Sequence, residues 1–225
     1  MLLELKNITK SYKNGSDRQV LDDISLTINT GDAFAIIGPS GSGKSTLLNI
    51  MGTLDKPSSG SVNFNGTEIG SFNEQSLANL RNQHIGFVFQ KHYLLPQLNV
   101  LENVLVPVIP QNNKARYKTA LARANELLDK VGLSDKLHQL PGQLSVGECQ
   151  RAAVVRALIN EPELILADEP TGSLDNDSAA QLGDLLALLR KDFKVAMVVV
   201  THSVEFAGRM DKVYRLVNGR LIQNS

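Results

Sequence analysis

Apolar positions fall into two rhythms along this chain, strict or continuous short runs and runs with a helical repeat. Leu3 to Ile8 and Val20 to Ile28 read as strands. Leu26-Thr27-Ile28 alternates, and Asn14-Gly15-Ser16 marks a turn between the two. Ala33-Phe34-Ala35-Ile36-Ile37 is a continuous apolar run, the mark of a strand buried on both faces. Ser45 to Met51 reads as the helix that follows, and Asp55-Lys56-Pro57-Ser58-Ser59-Gly60 as a loop. Ser61-Val62-Asn63-Phe64 alternates and ends at Asn65-Gly66, a hairpin signal. An antiparallel β region is therefore expected on both sides of the Ala33 strand and its helix. Leu77 to Arg81 predicts a short helix, and Ile85 to Phe89 a strand ended by Gln90.

Beyond Gln90 the pattern changes. Leu94, Leu95, Leu98, Val100, Leu101, Val104 and Leu105 are apolar, broken by Pro96, Pro107 and Pro110. Ala115 to Val131 is amphipathic, with Ala120, Leu121, Ala124, Leu127, Leu128 and Val131 at helical spacing and Gly132 as the stop. Pro141-Gly142 is a loop, and the chain is helical again from Leu144-Ser145-Val146-Gly147-Glu148 to Ile159. Leu164 to Ala167 and Val195 to Val200 are buried strands, with a helix from Ser178 to Arg190 between them. A short helix from Ser203 to Met210 precedes a closing hairpin, Val213 to Val217 and Arg220 to Ile222, joined by Asn218-Gly219. Buried parallel strands near 35, 87, 165 and 198, separated by helices, predict an α/β core. The expected organisation is one domain over 1–225, with 1–90 and 161–225 as the core and 91–160 as an inserted helical subdomain.

Composition narrows the setting. Among 225 residues, Lys+Arg and Asp+Glu both number 23, so no general attraction to nucleic acid or anionic membrane is expected. The single Cys149 excludes an intrachain disulfide and suits a reducing compartment. No apolar run approaches the roughly 20 residues that span a bilayer. Met1-Leu2-Leu3-Glu4-Leu5-Lys6 alternates and is charged early, so it reads as a strand rather than a signal peptide. A cytoplasmic protein is expected, with any membrane role supplied by a partner.

Candidate chemistry starts at Gly38-Pro39-Ser40-Gly41-Ser42-Gly43-Lys44-Ser45, which fits Gly-x-x-x-x-Gly-Lys-Ser/Thr between a predicted strand and a predicted helix. Glycines let backbone N–H groups converge on a phosphate, and the helix N-terminus adds partial positive charge. Lys44 is placed to reach β- and γ-phosphates and Ser45 to bind Mg²⁺. Asp168-Glu169 closes a buried strand. As a metal carboxylate and a general base the pair suits phosphate-loop chemistry; as a helix N-cap pair it suits a helix start. His202 also closes a strand at the ligand-binding end of an open α/β sheet, where it is a turn residue or a γ-phosphate contact. Ser145 and Gly147 open a helix and form either a second anion site or an ordinary cap, with Glu148 completing a capping box. Tyr12, taken alone, is a half-buried strand aromatic.

Taken together and in order, these stretches resemble the ATP-binding subunit of ABC transporters: Gly38–Ser45 (Walker A), Gln90 (Q-loop), Leu144–Glu148 (signature), Leu164–Glu169 (Walker B), Ser173-Leu174-Asp175 (D-loop) and His202 (switch histidine). The resemblance covers essentially the whole chain. It implies a P-loop NTPase fold of ABC type with an antiparallel β region and a helical subdomain. It also implies ATP and Mg²⁺ as cofactors, a homodimer of ATPase subunits, a membrane-spanning permease as partner, and a peripheral position on the inner face of the cell membrane. By the same resemblance Gly38, Pro39, Ser40, Gly41, Ser42, Gly43, Lys44, Ser45 and Thr46 bind nucleotide, and Tyr12 stacks on adenine. Ser45, Asp168 and Gln90 hold Mg²⁺, Glu169 is the catalytic base, Gln90 also meets the attacking water, and His202 senses the γ-phosphate with Lys44. Ser145 and Gly147 contact the γ-phosphate on the other subunit, and Asp175 couples the two sites.

Two positions depart from the usual Leu-Ser-Gly-Gly-Gln signature, Val146 and Glu148. A β-branched Val146 resists positive φ and adds bulk beside the phosphate. Phe87-Val88-Phe89-Gln90, Leu94-Leu95-Pro96, Leu101-Glu102-Asn103-Val104 and Thr171 to Asn176 look like the lipoprotein-release, macrolide-export and cell-division group. A chain ending soon after the Asn218-Gly219 hairpin fits that compact group. The function implied is an ATPase driving a separate membrane subunit; the alternative is a regulatory ATPase of the cell-division type. A DNA-repair or translation role is disfavoured, because the chain has neither heptads nor a second Walker A. The apolar stretch at Tyr93, Leu94 and Leu95 either docks the membrane subunit or packs the subdomain's own core.

Overall fold

The computed structural model describes residues 1–14, 16–111 and 113–223, with the backbone alone for 13, 14, 16 and 17. In chain order the elements are β1 (Leu3–Asn14), β2 (Ser16–Ile28), β3 (Ala33–Ile37), α1 (Lys44–Met51), β4 (Ser59–Phe64), β5 (Thr67–Glu68), α2 (Glu74–His84) and β6 (Ile85–Phe89). Then come α3 (Val100–Leu105), α4 (Lys114–Lys130), α5 (Val146–Leu158), β7 (Leu164–Asp168), α6 (Asn176–Phe193), β8 (Ala196–Val200), α7 (Val204–Ala207), β9 (Lys212–Val217) and β10 (Arg220–Gln223). Single 3-10 segments occupy Val106–Gln111 and Pro141–Gln143.

Four strands form an antiparallel sheet in the order β2-β1-β4-β5, and six form the central sheet in the order β10-β9-β3-β8-β7-β6. Strands β9, β3, β8, β7 and β6 run parallel, and β10 joins the edge antiparallel. The register decides where chemistry can gather. Ile36 pairs with Val200, Asp168 with Val200, and Phe89 with Asp168. The residues that leave β3, β6, β7 and β8 therefore emerge level with one another, at the carboxyl edge where open α/β sheets bind ligands.

Central strands have side chains on alternate faces, and each face has its own core. Leu164, Leu166, Val198 and Val200 pack with Phe34, Leu47, Leu48 and the antiparallel sheet. Ile165, Ala167, Met197 and Val199 pack with Val155, Leu158 and Leu186 on the other side. Helices α3, α4 and α5 lie between β6 and β7 in sequence and contribute to this second core rather than to a separate one.

Several elements differ from expectation at their ends. β1 runs to Asn14 rather than Ile8, through register shifts near Leu5, Ile8 and Lys10, with Asn7 at φ 48°. The expected turn at Asn14-Gly15-Ser16 includes Gly15, which lies outside the described residues. Helix α2 is longer than Leu77–Arg81 because Asn73 caps it, accepting the Ser76 N–H at 2.9 Å. Its single buried residue, Leu77, leaves no apolar stripe to read. Helix α3 was hidden in the proline-broken run, and a capping box between Asn99 and Glu102 starts it. Helix α7 spans only Val204–Ala207 of the expected Ser203–Met210.

Candidate active site

The phosphate loop ends at Gly43, which has φ 101° and caps α1 with no side-chain bond. A Cβ there would approach the Val20 carbonyl and Leu21 to 2.9 Å, so backbone angle and packing both call for glycine. The first N–H groups of α1 are thus uncapped by any side chain, and no acidic residue lies in its first turn. Lys44 is nearly buried, and its ammonium donates to the carbonyls of Gly38 and Pro39, both at 3.0 Å. Among the described residues it forms no ion pair. A cation held by two carbonyls beside an open helix start is a site for a polyanion.

At the strand ends, the Ser45 hydroxyl donates to Asp168 Oδ1 at 3.2 Å. Burial pushes the Asp168 carboxyl above its ordinary range; Glu169 raises it further, while Ser45 and Lys44 pull the other way. Glu169 follows with φ 48°, a left-handed conformation that costs a residue other than glycine about 1–3 kcal/mol. Its N–H donates to the Val200 carbonyl at 2.8 Å, fixing this turn to the end of β8. That aims its carboxylate at His202, whose Nδ1 lies 2.9 Å from Oε2 and whose N–H donates to the same oxygen at 3.2 Å. Gln90 lies against Gly172, where a Cβ would come within 2.8 Å of its amide nitrogen. The Gln90 carbonyl accepts the Ser173 hydroxyl at 3.0 Å.

One cavity of about 790 Å³ is lined by Gly38, Ser40, Gly41, Gly43, Lys44, Ser45, Thr46, Gln90, Glu169 and His202 together with Tyr12, Arg18 and Val20; Asp168 does not line it and reaches it through its bond to Ser45. Pro39 and Ser42 stay in the loop without lining it; Ser42 Oγ is buried and has no hydrogen-bond partner among the described residues. Arg18 and Val20 were not anticipated. Arg18 stands opposite Tyr12 across the β1–β2 pair, a register that sequence reading ending β1 at Ile8 could not supply.

Ser145, Gly147 and Asp175 do not line this cavity. Ser145 caps α5: its Oγ accepts the Glu148 N–H at 3.2 Å, and Glu148 Oε2 accepts the Ser145 N–H at 2.7 Å. That backbone bond leads the influences holding the Glu148 carboxyl below its usual range. Asp175 caps α6, accepting the Ser178 N–H and hydroxyl at 2.9 and 2.8 Å, and both hold its carboxyl low. Gly147 adjoins the same cap; a Cβ on it would sit 3.6 Å from Ser178 Oγ. Signature and D-loop residues thus form a second patch, apart from the phosphate loop. Val146 is the first residue of α5 and is not among the residues with positive φ, so the strain expected of a β-branched residue does not arise. It is half exposed, at 50 %. Cys149 is a buried core residue of α5. Sequence reading missed Gln150, fully buried, whose amide donates to the Phe89 carbonyl at 2.8 Å and ties α5 to the strand before Gln90.

The donor set suits Mg²⁺. That ion takes one or two carboxylates and a hydroxyl and completes its shell with water and substrate phosphates. Ser45 and Asp168 already face each other, and no cluster of three His, Cys, Asp or Glu is found among the described residues, nor is one required.

A phosphate loop, a strand-end Asp-Glu pair and a histidine at the next strand end, on a parallel sheet of this order, define a P-loop ATPase of ABC type. The sequence profile described as ABC transporter matches residues 21–172, and the chain belongs to that family. The lipoprotein-releasing system ATP-binding protein LolD of Geobacter metallireducens is 46% identical over 222 residues, covering 98% of both chains. LolD of Alcanivorax borkumensis is 45% identical over 221 residues, covering 98% of this chain and 96% of its own. Among solved structures, the dimeric post-hydrolysis state of the ATP-binding cassette MJ0796 bound to ADP and Pi matches with a TM-score of 0.89. It is 37% identical and covers 100% of this chain and 98% of its own.

Proposed function

We propose that this chain is the ATP-hydrolysing subunit of a lipoprotein-releasing type of ABC transporter, working at the inner membrane face through a membrane-spanning permease. The observation that carries this is full-length similarity: 46% identity to a LolD protein over 98% of both chains. Lys44 and the α1 N-terminus hold the phosphates, and Tyr12 receives the adenine. Ser45, Asp168 and Gln90 would hold Mg²⁺, which when bound neutralises charge on the phosphates. Glu169 takes a proton from the attacking water, and His202 fixes the Glu169 carboxylate while touching the γ-phosphate. The signature patch of Ser145, Gly147 and Asp175 completes the site of a second copy, so two ATP molecules join two chains.

Residues 91–160 act as the helical subdomain that carries this movement to the permease. Tyr93 is 62% exposed and Leu95 39%, whereas Leu94 is buried. The two exposed side chains suit docking; Leu94 suits the core. Arg156 donates to the carbonyls of His92 and Tyr93, at 2.6 and 2.7 Å, and fixes the backbone that presents them. Beside it a cavity of about 450 Å³ is lined by Phe87, Phe89, Arg156 and Ala157. The test is purification of the tagged chain from native membranes, followed by phosphate-release assays. A membrane partner with few spans and a large extracytoplasmic domain is expected. Lys44→Ala should lower turnover at least about a hundredfold, since a cation at the transferring phosphate is lost. Wild-type turnover in Lys44→Ala protein contradicts the assignment.

A further inference from the structure

Tyr12 is held from behind. Its hydroxyl donates to Asp55 Oδ2 at 2.6 Å, and Lys10 Nζ lies 4.8 Å from its ring centroid. Lys10 is itself nearly buried, at 9% exposure, and donates to Asp55 Oδ1 and the Lys56 carbonyl, both at 2.6 Å. The Lys56 N–H donates to Asp55 Oδ1 at 2.7 Å. One carboxylate thus takes the ammonium on one oxygen and the phenol on the other. Burial pushes that carboxyl up, but the bonds from Lys10, Tyr12 and the Lys56 N–H outweigh it and hold it low.

Placement gives this cluster a direction. Tyr12 lines the nucleotide cavity, and Lys10 and Asp55 do not. Asp55 lines a different cavity with Pro57, Ser58 and Leu77. Lys10 therefore sits over a ring that lines the nucleotide cavity without lining the cavity itself, which leaves the ring's cavity side to a ligand. Asp55 also lies just beyond α1, whose first residue is Lys44. Eight helical residues span about 12 Å, so one helix carries the phosphate site at its start and the tether of the ring at its end. Thr46, in the first turn of α1, faces the phenol as well.

We propose that Lys10 and Asp55 are positioning residues for the purine, a clamp that sets the Tyr12 ring in register with the phosphate loop before ATP binds. The proposal rests on Tyr12 being the base platform. A ring with a free χ1 and χ2 loses that freedom on stacking, whereas one fixed by a charge-assisted bond has already lost it. A cation over the ring also draws π density toward itself, which favours an electron-rich base on the cavity side. The competing role is a plain tether of the 55–60 loop to β1, with no bearing on the base.

Equilibrium binding of ATP and of inorganic tripolyphosphate, both with Mg²⁺, separates these roles, because tripolyphosphate uses the loop and has no base. Tyr12→Ala should weaken ATP at least about tenfold and leave tripolyphosphate unchanged. Tyr12→Phe, which keeps the ring and the fold, and Asp55→Asn should each weaken ATP about three- to tenfold, again without effect on tripolyphosphate. Their double variant should lose no more than the larger single loss, since both act on the base through the Tyr12–Asp55 bond. Equal weakening of both ligands by Asp55→Asn, with Tyr12→Phe silent, makes the pair a tether and overturns the clamp. A selective effect of Tyr12→Ala with silent Tyr12→Phe and Asp55→Asn keeps the platform and also overturns the clamp. An unselective Tyr12→Ala removes the platform, and the clamp with it.

Discussion

The most consequential single residue after Lys44 is Asp168, because its environment works against its charge. Burial first, and then Glu169, raise its carboxyl pKa. In the window between the ordinary carboxylate range and that raised value, the folded chain keeps a proton the unfolded chain has lost. Stability therefore falls as pH rises through the window and stays lowered above it. Asp168→Asn removes this liability. Without nucleotide it should raise the melting temperature at pH 8 by about 2–4 °C, and by less as the pH is lowered into the ordinary carboxylate range. The same variant should lose Mg²⁺-dependent nucleotide binding. A melting point lower than wild type at pH 8, by differential scanning calorimetry, contradicts this account. Residues of this kind were legible in sequence because their type and position are set by chemistry: Gly38–Ser45, Asp168-Glu169 and His202 each follow a predicted strand. Arg18 and Gln150 were not, since one depends on cross-strand register and the other is a polar group in an apolar helix face.

At the scale of elements, one buried side chain holds the loop that follows Gln90. The buried Asn103 of α3 accepts the Leu95 N–H at 2.7 Å and donates to the carbonyls of Leu95, Leu98 and Asn99. It pins the proline-broken loop after Gln90, so Tyr93 and Leu95 are presented by a fixed backbone. Tyr93→Asp should leave the melting temperature nearly unchanged, within about 0.5 kcal/mol of stability, while abolishing stimulation of ATPase by the membrane partner. Leu94→Asp, which puts a charge into the core that α3, α4 and α5 share, should lower the melting temperature sharply. Equal destabilisation by both substitutions would return the whole stretch to core packing. Strands and amphipathic helices here followed from period alone, as in β3, β7, β8 and α4. The middle of α2 was legible too, but its ends and the whole of α3 were not, because caps at Asn73 and Asn99 define them more than apolar spacing does.

At the scale of the molecule, the nucleotide cavity and the helix-capping patch at the starts of α5 and α6 stand apart in one chain. The phosphate loop, Gln90, Glu169 and His202 line one cavity, and Ser145, Gly147 and Asp175 lie elsewhere on α5 and α6. In the proposed two-fold pair the cavity of one chain would face the Ser145, Gly147 and Asp175 patch of the other, with the γ-phosphate between them. On this proposal hydrolysis would remove the bridge and let the chains part, and that parting would be the mechanical step passed to the permease. Val146 at the start of α5 needs no unusual backbone angle, so the backbone there is that of an ordinary first helical residue, while its half-exposed side chain keeps its bulk on this surface. Glu169→Gln keeps the contact with His202 and the binding groups but removes the base, so bound ATP should persist. The most direct measurement is size-exclusion chromatography with light scattering of Glu169→Gln with Mg²⁺ and ATP, alone and with the membrane partner. A nucleotide-dependent dimer is predicted; a strictly monomeric chain in both settings, with ATP demonstrably bound, would contradict the account.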